Sequence, residues 1–180
     1  MQLSVLTTSI TEPVTHDEVK SFMGFPASDT SQDTTIDNMI TVAREWVEQR
    51  TGLSLVSKSY KAYFDKEDAE DGWYDLPVSP VLTLPVITAE MSGVSITFEQ
   101  VGSKRVRIRP DTVMGTIPIG GASGVSYLEV TFQAGATNKT ANQCILSVVS
   151  SMFNYREGGV NVARIPFDTL SLIDSISVNL

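Results

Sequence analysis

The stretch Ile36-Asp-Asn-Met-Ile-Thr-Val-Ala-Arg-Glu-Trp-Val-Glu-Gln-Arg-Thr-Gly-Leu-Ser-Leu55 decides how this chain is read. Ile36, Met39, Ile40, Ala43, Trp46 and Val47 recur three and four residues apart, which places them on one stripe of an amphipathic helix. Gly52 stands just past the stripe, where a left-handed C-cap is wanted. Thr34, or Asp33 before it, is expected to cap the start. Trp46 lies on the stripe and is therefore read as core, not as a platform for a ligand.

Working outward, residues 1–12 read as extended up to Glu12-Pro13, where proline restricts the residue before it. Thr15-His-Asp-Glu18 spells a capping box, so a short helix follows, with Val19, Phe22 and Met23 inward and Gly24 and Pro26 as stops. Beyond the long helix, from Lys58 to Gln133, the period changes to short β-branched runs broken by Gly and Pro. Tyr60–Phe64, Trp73–Leu76, Val94–Val101, Arg105–Ile108 and Val125–Phe132 are the expected strands. Gly102-Ser103 is a hairpin signal, and Gly115–Gly124 reads as loop. Helical period returns with Cys144, Ile145, Val148, Val149, Met152 and Phe153. The tail from Val160 is apolar without a clean stripe, and Leu172–Val178 has the look of a strand.

These elements predict an α+β fold: a three-helix core, a β-rich insertion between the second and third helices, and an extended C-terminal tail. The segments are 1–57 (N-terminal segment and two core helices), 58–136 (β-rich insertion), 137–159 (third core helix) and 160–180 (C-terminal arm), within one structural domain.

Composition narrows the function. With 42% hydrophobic and 19% charged residues the 180-residue chain has enough apolar content for a sizeable core. A formal net charge of −8 opposes sequence-independent binding to nucleic acid, which needs clustered Lys and Arg. The one basic cluster, Lys104-Arg-Val-Arg-Ile-Arg109, alternates as the polar face of a strand with Val106 and Ile108 inward. Cys144 is the only cysteine, so no intramolecular disulfide or multi-thiolate metal site is expected. No signal peptide and no membrane span are read from the sequence.

The search for chemistry is empty. His16 is the only histidine, in the first turn of a capped helix, and is expected at the surface. Cys144 lies on an apolar stripe and reads as a buried small hydrophobe. The acidic run Asp65–Asp71 misses the calcium-loop spacing because Glu67 and Ala69 occupy ligand positions. The glycines at 115, 120, 121 and 124 lack the Lys-Ser or Lys-Thr of a phosphate loop. No catalytic, cofactor or metal site is assigned, and no enzyme is expected.

Five ordered pieces carry a resemblance. They are Glu12-Pro-Val-Thr-His-Asp-Glu-Val-Lys20, the helix Ile36–Leu55, Leu76-Pro-Val-Ser-Pro-Val81, Val130-Thr-Phe-Gln-Ala-Gly135, and the apolar helix Gln143–Glu157 closing on Tyr155-Arg-Glu157. In this order, over residues 12–157, the chain resembles the phage head–tail connector (adaptor) proteins. The resemblance implies a structural ring, commonly a dodecamer, beneath the portal protein at a capsid vertex. Such a ring extends the DNA channel, lets DNA pass without sequence-specific binding, and docks a neck or tail-completion protein. It implies a location in the virion neck after synthesis in a host cytoplasm, with no cofactor and no membrane.

The tail lies outside the resemblance, so its role is read from apolarity alone. Residues 160–180 are expected to form an arm that docks on the portal or an adjacent subunit, anchored by Ile165, Phe167, Leu170, Leu172 and Ile173, the alternative being that the tail folds back on its own domain. The polar side of the long helix, Arg44, Glu45, Glu48 and Gln49, is the candidate surface for neighbouring subunits. The alternative readings are a tail-completion or stopper protein, a glycan- or receptor-binding virion module and, third, an enzyme with an unrecognised carboxylate pair.

Overall fold

The computed structural model describes residues 1–8, 11–82, 87–91, 93–102, 105–111, 127–155 and 165–177. The architecture is α+β, with four helices and two antiparallel sheets among the described residues. The chain divides into two compact units, a β unit of residues 1–9 and 57–135 and a helical unit of residues 10–56 and 136–180.

In the helical unit, α1 (His16–Met23) begins with the expected capping box. The Thr15 hydroxyl accepts from the Glu18 amide at 3.2 Å, and the Thr15 amide donates to the Glu18 carboxylate at 2.8 Å. Gly24 closes α1 at φ 77°, a left-handed conformation that favours glycine. Helix α2 (Asp33–Thr51) is the stretch first quoted, and Gly52 caps it with its amide on the Glu48 carbonyl at 3.0 Å. Its start differs from expectation. The N-cap is Gln32 without a side-chain hydrogen bond, because the Asp33 carboxylate turns to Lys20 instead.

The stripe of α2 packs as its period predicts. Ile36, Ile40, Ala43 and Val47 are buried, with Met39 and Trp46 against them. Helix α3 (Lys139–Tyr155) supplies Cys144, Ile145, Val148, Val149 and Phe153 to the same core. Phe22 was expected inward but stands 43% exposed. It occupies the last turn of an eight-residue helix whose core face is already filled by Val19 and Met23.

The tail departs most from expectation. Phe167–Ile176 is a helix, α4, rather than an extended arm or a strand, and Ile165 and Ile173 are buried in the helical core with Leu170 against it. Residues 160–164 and 178–180 lie outside the described residues.

In the β unit, β1 (Gln2–Thr8), β2 (Lys58–Phe64), β8 (Leu128–Ala134), β4 (Thr88–Met91) and β5 (Val94–Ser95) form one sheet in that order. A second sheet has the order β3 (Tyr74–Asp75), β7 (Arg107–Pro110), β6 (Phe98–Val101). Register places Tyr60, Ala62 and Phe64 opposite Phe132, Val130 and Leu128, so period-two alternation sends all six inward. Tyr74, Leu76, Val106 and Ile108 join them, and the two sheets share one core.

Three features of this unit were not anticipated. Residues 1–8, grouped by sequence with the helices, pair with β2 instead. The single run Val94–Val101 is split between β5 and β6, which serve different sheets. Strand β4 was missed altogether. The hairpin expected at Gly102 is present as the β6–β7 pair, with Gly102 at φ 92°; its Ser103 and Lys104 lie outside the described residues, as does the Gly115–Gly124 loop.

Candidate interaction surfaces

The helical unit is fastened by one charged network. Arg44 on α2 donates from Nε to Glu12 and from Nη1 to Glu48, both at 2.7 Å, and Glu48 accepts the Leu55 amide at 2.7 Å. Burial of the guanidinium opposes its charge, but the hydrogen bond and charge of Glu12 with the charge of Glu48 outweigh this and raise its pKa. The network ties the segment before α1 and the exit of α2 to the middle of α2. Two of the four residues expected to face neighbouring subunits, Arg44 and Glu48, are thus buried inside their own unit; Glu45 and Gln49 remain exposed.

A second cluster joins α1 to α2. Lys20 is only 2% exposed, with its ammonium 2.5 Å from Asp33 and 4.0 Å from Asp17. His16 lies among Asp37 at 3.3 Å, Asp17 at 3.4 Å and Asp33 at 3.9 Å. The histidine ring is partly exposed and has no nucleophile beside it among these contacts. Cys144 is fully buried, and burial pushes its thiol pKa up, which disfavours the reactive thiolate.

The C-terminal segment offers little of what apolarity suggested. Ile165 and Ile173 are buried and Leu170 is half-buried, leaving Phe167 at 80% and Leu172 at 40% exposure as the outward apolar side chains among its described residues. On the β unit, the edge strand β1 presents Leu3, Val5 and Leu6 to solvent.

The basic row is neutralised in place. Arg105 and Arg107 lie 2.7 and 2.9 Å from Asp75, Arg107 lies 3.1 Å from Glu70, and Arg109 pairs with Glu99 and covers the Trp73 ring at 4.9 Å. Val106 and Ile108 point into the core, as the alternation predicts. With their counter-charges supplied on the same sheet and the adjoining turn, the three described arginines leave no surplus positive charge for phosphate; Lys104 lies outside the described residues. The acidic run Asp65–Asp71 is a short 3-10 turn followed by a tight turn between Glu70 and Trp73, with Asp71 at φ 51°. Among the described residues no group of three or more His, Cys, Asp or Glu side chains is placed to hold a metal, and no helix is long and apolar enough to cross a membrane.

No protein-family model matches the sequence, and no curated protein matches it. Solved structures do. A chain in the neck of an empty gene transfer agent (GTA) particle, computed with C6 symmetry, has a TM-score of 0.74 at 20% identity, covering 100% of this chain and 97% of that one. The fold is one found in a particle neck. A chain of the virion of a native gene transfer agent particle gives 0.69 at 19% identity, and one from a native GTA neck computed with C12 symmetry gives 0.67 at 19%. Both cover 100% of this chain and 97% of the other. At this identity the likeness concerns the fold, and it spans both the helical and the β unit.

Proposed function

We propose that this protein is a structural component of the neck of a tailed phage or phage-like particle, a head–tail adaptor that forms a ring beneath the portal. The whole-chain likeness to chains of GTA necks carries the reading. It is independent of the five sequence pieces that carry the resemblance, because those pieces rest on wording and the likeness on backbone geometry. The C6 and C12 symmetry of those reconstructions supports a ring of repeated copies.

In this role the chain works by shape and charge, without chemistry. A net charge of −8 and a neutralised arginine row suit a wall past which DNA slides without being gripped. Attachment to the portal or to an adjacent subunit falls to what the described part of the C-terminal segment leaves exposed, Phe167 and Leu172, since its Ile165, Leu170, Ile173 and Ile176 pack in the core. Glu45 and Gln49 are the remaining polar candidates on α2 for subunit contact.

The test is co-sedimentation with portal-bearing capsids that lack their own adaptor. The protein should travel with capsids that carry a portal and not with capsids that lack one. Equal recovery with both, or none with either, would refute the adaptor role. A stopper would bind only after another neck protein is in place, and a glycan module would ignore capsids and retain saccharides instead.

A further inference from the structure

The five-stranded sheet ends on one side in an open edge. Strand β1 is seven residues long and, among the described residues, pairs only with β2. An edge strand turns part of its main-chain N–H and C=O groups out from the sheet, and folded proteins blunt such edges with charge, proline, a bulge or brevity. Gln2-Leu-Ser-Val-Leu-Thr-Thr8 contains no charged residue and no proline. Its bulge falls between Val5 and Thr7, so it turns aside only the far end and leaves Gln2–Val5 regular. The other edges are blunted. β3 and β5 have two residues each, and the four-residue β6 carries Glu99, paired with Arg109.

The side chains of β1 define what the edge accepts. Residues directly opposite each other in an antiparallel pair share a face of the sheet. Leu3 and Val5 stand opposite Ala62 and Tyr60, which are buried in the core of the β unit. Yet Leu3 is 38% and Val5 54% exposed, so the core face runs on one strand past its cover. A strand added outside β1 would satisfy the free main-chain groups. With an apolar residue at every second position it would also cover Leu3 and Val5. On the opposite face Ser4 stands against Lys61, whose ammonium Glu129 holds at 2.5 Å, so this lysine calls for no acidic partner.

We propose that β1 receives an extended, uncharged segment of a different neck protein, paired through the main chain of Gln2–Val5 with its apolar residues beside Leu3 and Val5. That the segment comes from another protein rests on the ring reading above. Pairing β1 with β1 would relate two neighbours by a two-fold axis, which a ring of many like-pointing copies does not place between neighbours. The remaining edges of a second copy are too short or carry charge.

Amide hydrogen exchange of the intact protein, read residue by residue over Gln2–Thr8, tests the proposal. The probe is an acetylated and amidated peptide of alternating threonine and valine, N-methylated along one edge so that it cannot pair with itself. At saturation it should slow the fast-exchanging amides of Gln2–Val5 about tenfold or more. The same peptide N-methylated at every residue should have no effect, nor should the one-edged probe on Val5→Lys. Val5 is exposed, so that variant should keep its circular dichroism; Leu3→Lys serves in its place if it does not. No slowing by the one-edged probe, or equal slowing by both peptides, overturns the proposal. Without probe, exchange should not depend on protein concentration. Slowing that grows with concentration and is lost in Val5→Lys makes a second copy the occupant, which also overturns it. Co-sedimentation with portal-bearing capsids decides the neck reading separately. A protein that joins capsids but ignores the probe keeps the role and loses the strand site, and one that takes the probe but never joins capsids loses the role and keeps the site.

Discussion

Arg44 lies on the side of α2 where the pattern puts polar residues, yet it is buried, because Glu12 arrives from outside the helix to meet it. A helical wheel cannot show that arrival. The outcome divides four residues that look alike in sequence: Arg44 and Glu48 hold the unit together, and Glu45 and Gln49 face solvent. Removing Arg44 leaves two carboxylates without their counter-charge. Arg44→Ala should therefore lower stability by about 3 kcal/mol, whereas Gln49→Ala should stay within about 0.5 kcal/mol, as read by urea unfolding. Cys144 makes a second residue-scale prediction. Its thiol should resist a disulfide reagent at pH 8 in the folded protein and react fully in guanidinium. The folded pKa is raised above the unfolded value, so this group's contribution is fully present below about pH 9 and is lost as pH rises through the folded pKa. Cys144→Ala should remove that part of the alkaline loss, and a native thiol that reacts at once would contradict its burial.

At the scale of elements, the long helices were legible and the short pieces were not, for physical reasons. α2 and α3 repeat their apolar spacing over several turns, and α1 announces itself by a capping box. α4 was obscured because buried Thr169 breaks the apolar stripe on the inner face, while Phe167 and Leu172 put apolar side chains on the outer one. Its signals were Pro166 at the start, Asp168 in the first turn, and Leu170, Ile173 and Ile176 three apart. β4 was missed because Thr88-Ala-Glu-Met91 has one β-branched residue, and only its pairing with β8 makes it a strand. The polar side of α2 pointed to a surface in the sequence, but which of its residues are free became visible only with Glu12 in place. The folding of α4 into the core also changes what truncation does. Deleting residues 160–180 should now destabilise the helical unit, where an arm would have left it intact. Ile173→Ala should cost about 3 kcal/mol and Phe167→Ala less than about 0.5 kcal/mol, followed by helical circular dichroism in urea. Equal costs would contradict the division of this segment into an inner and an outer face.

For the whole molecule, fold and charge are separate supports for the proposed role. The fold likeness covers the entire chain and so includes both cores. In the proposed ring the net charge of −8 would give a repulsive wall for DNA, and among the described residues no group of His, Cys, Asp or Glu side chains is placed to hold a metal. The central claim is that many copies of this chain form a closed ring under a portal. The most direct measurement is electron cryomicroscopy of portal-bearing capsids after incubation with the purified protein, with rotational averaging about the portal axis. The account predicts an added ring of twelvefold or sixfold symmetry beneath the portal, into which both units of the chain fit. Capsids whose portal vertex is unchanged, or that carry the protein elsewhere on the shell, would contradict it.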